Sequence, residues 1–372
     1  MTFTIRRATL EDKPVIFAFL DQAYGVNAKD KYPERWEWQF EHNPYKPDNK
    51  IPVYIALNEE GKVVAQSAAV YEPLQIDGKR QDFAWAVDAF VLEDYRGKNL
   101  GFETLRMNRD HHPIWMGMVM APSSRHILTK LGCKEIESVS LFRKLIYVDK
   151  ESIVRAAIND EGRLRWMAPV VSVVKKLHLD DFASKAINLV LNLRNPIRLA
   201  FYDKSIMINK IDHFGTKFDE FWQLVESNYP VSIIRDSEFL RWKYELQPGL
   251  DYRVFTADYD GDMRGYMILR SATEQDNTGI IADLLTFPND TDVLNALVNF
   301  AIRYFRDEKM KYISAATSLA CQMTAFESLG FKKYKEILPL LYSDEDEFEQ
   351  VFSSGMWYLG RSDHDWDQLY LG

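Results

Sequence analysis

The chain has little cysteine: Cys133 and Cys321 are the two thiols in 372 residues. Two isolated cysteines in a chain of this length make no disulfide framework, and the expectation is a reduced, cytoplasmic protein. Long apolar runs are missing too. A spanning helix needs about 18–20 apolar residues. The nearest stretch, WMAPVVSVVKKLHLDDF, is broken by Pro169, Lys175, Lys176 and Asp180 and reads as an amphipathic helix. The opening MTFTIRRATLEDKP has no apolar core of signal-peptide length. Basic blocks are absent and the net charge is −9. A nucleic-acid-binding protein would show a basic stripe, and an anionic membrane surface would attract one. Neither is expected as a partner. His111 and His112 have no companion at metal-ligand spacing, so they read as a solvated pair at a helix end, with no metal. No Ser/His/Asp order suggests hydrolysis, and Ser123 and Ser124 read as a helix N-cap.

What is present is ample core material. Hydrophobic residues make up 47% of the chain, and its length suits two domains. A strand (FTIRRA), a helix (TLEDKPVIFAFLDQAYG) and a short aromatic helix (RWEWQFEHNP) open the first half. Three strand-like runs follow, separated by the glycine-containing turns EEGK and DGKR, as in a β-meander. Then EDYRGKNLG leads into a helix, and strand, helix and strand finish the unit near residue 147. This order predicts an α/β (α+β) architecture with a mixed, mostly antiparallel sheet and helices on its faces.

The second half repeats the pattern. FLRWKYELQP echoes RWEWQFEHNP, with Trp242 following Trp38, Tyr244 following Phe40 and Pro248 following Pro44, each by 204 positions. Asp283 follows Asp88 by 195 and Gly330 follows Gly132 by 198. An offset kept between 195 and 204 at separate landmarks indicates a duplicated domain. The expected organisation is a first domain over 1–147, a helical connector over 148–212 and a second domain with an acidic tail over 213–372. Trp38 and Trp242 are each expected to anchor a helix to its own sheet.

VDAFVLEDYRGKNLGFETL resembles the GNAT acyltransferases, whose central strand runs through a loop of the type Q/R-x-x-G-x-G/A into a helix. Arg96 and Gly101 match, while Asn99 stands at the middle glycine and can adopt positive φ. ILTKLGCKEI and AFESLGFKKY are similar to the family's late helix and turn. The resemblance covers both halves and implies two GNAT-like domains. It implies acetyl-CoA, or another acyl-CoA, as co-substrate and a small amine or amino-sugar acceptor that attacks directly in a ternary complex. A monomer or homodimer is expected. The cofactor site would comprise Phe90, Val91 and Leu92 on the strand, then Arg96, Gly97, Lys98, Asn99, Leu100, Gly101 and Phe102. A loop running into a helix N-terminus offers unpaired N–H groups and a positive dipole end to a pyrophosphate.

Asp88, then Glu72, are the candidate general bases, and Trp36 and Glu37 the candidate acceptor contacts. The family's tyrosine near the end of the domain falls on Leu128, and on Phe326 in the second copy, and neither can protonate a thiolate. The second copy's loop, Phe287-Pro288-Asn289-Asp290-Thr291-Asp292, has no glycine and two carboxylates, which repel a pyrophosphate. The first half alone is therefore expected to bind coenzyme A. The tail SGMWYLGRSDHDWDQL reads either as a solvated acidic end or as a lid selecting a cationic amine. A non-catalytic coenzyme A sensor and an aminoacyl transferase of the peptidoglycan-crosslinking type remain as alternatives.

Overall fold

The computed structural model describes residues 2–149, 184–185, 188–189, 205–272, 277–344 and 356–365. Most of the expected helical connector falls outside them. Two seven-stranded mixed sheets carry the two halves, and a four-stranded sheet joins them.

The first sheet runs in the order β1 (Thr4–Arg7), β2 (Val53–Leu57), β3 (Val63–Tyr71), β6 (Phe83–Val91), β7 (Ile114–Gly117), β17 (Leu340–Ser343) and β8 (Lys134–Glu135). The second runs β10 (Met207–Ile211), β12 (Tyr252–Tyr259), β13 (Asp262–Ala272), β14 (Thr278–Thr286), β15 (Tyr312–Thr317), β9 (Val139–Leu145) and β16 (Lys332–Ile337). The sixth strand of each sheet thus comes from the other half. β9 inserts between β15 and β16, and β17 inserts between β7 and β8. The two sheets therefore do not divide the chain at the expected boundaries of 147 and 213. Chain order puts β9 in the first domain, but its hydrogen bonds lie in the second sheet. The second copy also begins earlier than 213, because β10 pairs β12 as β1 pairs β2. No local pattern reveals such an exchange, since an apolar strand fits either sheet equally well.

The small sheet, β18 (Trp357–Tyr358), β11 (Val231–Ile233), β4 (Leu74–Ile76) and β5 (Lys79–Gln81), is shared between the copies. Helices pack on the large sheets: α1 (Lys13–Tyr24), α3 (Leu100–Arg109) and α4 (Pro122–Lys130) on the first, α5 (Thr216–Val225), α7 (Thr291–Asp307) and α8 (Ala320–Ser328) on the second. α7 shows why. Val293, Leu294, Leu297, Ala301 and Phe305 recur on one face and are buried, and Asp290 caps its N-terminus by accepting the Val293 N–H at 3.2 Å.

The repeated aromatic phrases form matching elements: a short α-turn, α2 (Glu34–Trp36) or α6 (Ser237–Leu240), continued by a π-helical turn over Glu37–Glu41 or Arg241–Glu245. Their tryptophans do not anchor separate sheets. Trp38 and Trp242 stack on each other with centroids 4.7 Å apart, and the Trp38 indole N–H donates to the Trp242 carbonyl at 3.0 Å. An offset-stacked pair contributes about 0.5–1.5 kcal/mol beyond its buried area. The repeat is therefore where the two copies meet. Beside it Lys243 reaches across to Glu72 at 2.6 Å, both fully buried.

Candidate active site

β6 pairs β3 along its length, but it pairs β7 only at Phe83, Ala84 and Trp85. A bulge sets the divergence. Ala68 faces Val87 and Gln66 faces Phe90, so Asp88 and Ala89 together stand opposite Ser67, and Asp88 takes φ of 49°. Bulges bend and twist a strand, and Asp is among the residues that tolerate this region. Into the opening runs a cavity of about 670 Å3.

Of the ten residues expected to hold a cofactor, eight line this cavity: Phe90, Val91, Arg96, Gly97, Asn99, Leu100, Gly101 and Phe102. Leu92 and Lys98 do not. The Leu92 N–H is spent on the Val64 carbonyl at 3.0 Å, and the Lys98 ammonium lies 4.7 Å from the Tyr95 ring centre. With Leu92 bonded inward, strand alternation turns the Val91 N–H toward the open edge. Asn99 takes φ of 62° and Gly97 takes 79°, so asparagine does adopt the turn conformation expected of it. The Asn99 side chain makes no cap hydrogen bond to the helix backbone, reaching Glu103 Oε1 at 3.3 Å instead. The first-turn N–H groups of α3 thus keep their positive end turned to the cavity.

A smaller chamber of about 200 Å3 adjoins it, sharing Ala89, Leu105, Ala121 and Ser124. Asp88 lines the chamber. Its Oδ1 accepts from the Lys31 ammonium at 2.6 Å and from the Tyr24 hydroxyl at 3.4 Å, while Oδ2 has no hydrogen-bond partner among the described residues. Burial, then the Asp88 charge, pushes the Tyr24 phenol well above its usual range. Leu128 lines the chamber as an apolar wall, and Ser124, one turn earlier on α4, borders both spaces. Ser123 and Ser124 do not cap α4; Ala121 takes the N-cap position and Pro122 the first turn.

The described part of the tail is not a solvated end. Residues 357–365 are buried, and His364 and Asp365 line the chamber. One ring nitrogen of His364 lies 2.9 Å from the Ala86 carbonyl on the open edge of β6, and the other is paired with the Asp365 carboxylate. Both nitrogens lie beside acceptors, an arrangement that favours the doubly protonated ring. Burial works against that charge, but Asp365 and the Ala86 carbonyl outweigh it and raise the His364 pKa. Burial likewise opposes the Asp365 charge, yet His364 holds this carboxyl far below the usual range. A raised folded-state histidine pKa gives stability that is complete below the unfolded value of about 6.5 and is lost as pH rises through the folded value. Urea unfolding across pH should show this alkaline loss, and His364→Gln should flatten it.

Three other candidates stand elsewhere. Glu72 is buried outside the chamber, bonded to Lys243 and to the Trp85 indole N–H at 2.7 Å. Burial pushes its carboxyl up against the pull of the Lys243 ammonium. Trp36 is 1% exposed and packs edge-on to Phe17 and Phe40 in the core, and Glu37 pairs with Lys13 at 2.8 Å; neither borders the chamber. His112 is buried as well, and desolvation lowers its pKa to about 3, so it is a core histidine.

In the second copy β14 and β15 also part after three paired residues, but the gap is filled. The tail threads it: Ser318 N–H bonds the Leu359 carbonyl at 2.9 Å, Ser362 N–H bonds the Ala282 carbonyl at 3.1 Å, and the Tyr358 hydroxyl donates to the Leu284 carbonyl at 2.7 Å. About 10 Å3 of space remains. Asp283 is locked to Arg235 at 3.1 Å, and Arg235 also holds Asp363 at 3.1 Å. With α7 already capped by Asp290, neither the groove nor the helix end is open to a ligand.

Sequence reasoning missed Tyr24, Lys31 and Ser124, and placed the contribution of His364 and Asp365 only as a possibility of the tail. None carries a local signature, because they converge through the fold from as far apart as Tyr24 and Asp365.

No protein-family profile matches the sequence, and no curated protein is similar to it. Solved structures do resemble the fold. A GCN5-related N-acetyltransferase from Anabaena variabilis superposes with a TM-score of 0.57 at 12% identity, covering 91% of this chain and 72% of that one. The Saccharomyces cerevisiae N-myristoyltransferase with bound myristoyl-CoA gives 0.54 at 12%, covering 91% and 82%. A tandem GNAT protein from the clavulanic acid biosynthesis pathway gives 0.50 at 11%, covering 92% and 98%. The chain has the GNAT acyltransferase fold, written twice in tandem. No helix among the described residues is long and apolar enough to cross a membrane.

Proposed function

We propose that the chain is an acyl-CoA-dependent N-acyltransferase in which the first half binds the thioester and the second completes the acceptor chamber. One observation carries this reading: the cavity of about 670 Å3 at the splayed edge of β6, headed by the open end of α3, leads into the chamber that holds Asp88. The α3 N-terminus and Arg96 suit a pyrophosphate. The open edge of β6 suits a pantetheine amide and the thioester carbonyl, with the Val91 N–H positioned to stabilise the developing oxyanion.

The amine enters the chamber and gives its proton to Asp88 Oδ2, and its nitrogen attacks the thioester carbon directly. The carbon–sulfur bond then breaks and the thiolate leaves as coenzyme A. Ser124, bordering both spaces, is the hydroxyl placed to hydrogen-bond that sulfur where Leu128 cannot. Acetyl-CoA is the proposed donor, since Leu128 and Met120 wall the small chamber. The tail's occupation of the second groove supports a single acyl-CoA site per chain.

Asn99→Asp tests the site without changing side-chain size. Asp tolerates the same backbone region, but it places a carboxylate beside the proposed pyrophosphate. Isothermal titration should show acetyl-CoA binding to the wild type and at least about tenfold weaker binding to the variant. No binding by the wild type would overturn the reading. Binding without turnover across an amine panel would favour a coenzyme A sensor.

A further inference from the structure

A second opening of about 380 Å3 lies where the copies meet, between the segment Lys29–Arg35 and the loop Gln247–Leu250. It abuts the Asp88 chamber across one ion pair. Arg35 lines this opening, and its Nη2 holds Asp365, which lines the chamber, at 3.3 Å. The guanidinium is fixed from a second side, where Nε donates to Gln39 Oε1 at 3.3 Å. Its Nη1 has no hydrogen-bond partner among the described residues and is not sealed in the core. A guanidinium held on two sides with one donor left over is preorganised for an oxyanion.

The charges at this junction point the same way. Lys31 and Asp88 neutralise each other at 2.6 Å. Asp365 faces two cations, Arg35 and the His364 ring with acceptors at both nitrogens. One positive charge is left over. Lys29, Asp30 and Glu34 lie on the exposed rim and together carry one negative charge, which the surrounding water weakens. In the tail, expected as a lid selecting a cationic amine, the carboxylates Asp363 and Asp365 are both already paired. On the opposite wall, the Gln247 side-chain oxygen is taken by the Tyr252 hydroxyl at 3.5 Å, which leaves its amide N–H groups as further donors.

We infer that the acceptor is an amine that also bears an oxyanion, a carboxylate or a phosphate monoester, with its amine beside Asp88 and its oxyanion on Arg35 Nη1 in the opening between the copies. This rests on the acyltransferase reading. It adds that the second half supplies part of the acceptor site through Gln247 and Asp365, and that Arg35 is the specificity residue.

Matched acceptor pairs test it, with thiol release from acetyl-CoA as the readout. L-amino acids and dipeptides are compared with their C-terminal amides, and O-phosphoethanolamine with ethanolamine. The charged member of at least one pair should show kcat/KM about tenfold or more above its neutral partner. Preference within the first pairs assigns a carboxylate, and preference within the last a phosphate. Arg35→Gln should raise KM for the preferred acceptor about tenfold or more, change kcat by less than about threefold, and change kcat/KM for the neutral partner by much less than for the charged one. Arg35→Lys should recover part of the loss. Equal use of charged and neutral members, an Arg35→Gln enzyme with unchanged preference, or acetyl-CoA binding with no member of any pair consumed would each overturn the inference. Calorimetry on the wild type separates the two readings, because failure to bind acetyl-CoA sinks the acyltransferase reading itself.

Discussion

Lys243→Met should lower the unfolding free energy by about 3–5 kcal/mol, the usual cost of removing one partner from a buried ion pair. Lys243 Nζ lies 2.6 Å from Glu72 Oε1 and donates to the His364 carbonyl at 3.2 Å. Methionine fills similar volume but leaves the Glu72 carboxylate with the Trp85 indole N–H alone. That carboxyl must then take up a proton or remain charged in the core. Glu72→Gln should restore most of the loss in the double variant, since a carboxamide oxygen still accepts from Trp85 and no charge is stranded. Urea unfolding of the four proteins closes the cycle. The pair joins the two halves, and strand exchange ties the sheets together, so a single cooperative transition is expected. A double variant no more stable than Lys243→Met would show that the cost comes from lost packing and from the His364 carbonyl.

Asp88→Asn should reduce kcat by about 10²-fold or more at neutral pH if Asp88 Oδ2 takes the proton of the amine. Acetyl-CoA affinity should stay the same, because Asp88 lies in the chamber and outside the larger cavity. Asparagine also leaves the Lys31 ammonium without its 2.6 Å partner, so unfolding must be measured alongside. Normal kcat with reduced stability would make Asp88 the anchor of Lys31 and no base.

Much of the fold was legible in the sequence for local reasons. Strand alternation, helix periodicity and turn glycines are set by neighbouring residues, so YRVFTADY and TDVLNALVNFAIRYFRD appear as β12 and α7 nearly as read. The phosphate-type loop was legible for the same reason, because backbone φ at Gly97 and Asn99 follows from residue type. That Glu72, Trp36 and Glu37 do not border the chamber was not legible, because a polar or aromatic residue near a cleft in sequence looks the same whether it lines the cleft or supports its wall. For Glu72, a lysine 171 positions away decided the matter.

By itself, the sequence determined the duplication, the order of elements and the inequality of the two copies at their loops. It could not determine which copy each strand joins, because β9 and β17 fit either sheet by composition, and hydrogen bonding between distant segments selects the partner. Nor could it show that the tail fills one groove and furnishes the other, or that Trp38 meets Trp242. Those are contacts between residues far apart in the chain, and only the packed structure brings their charges and rings within reach.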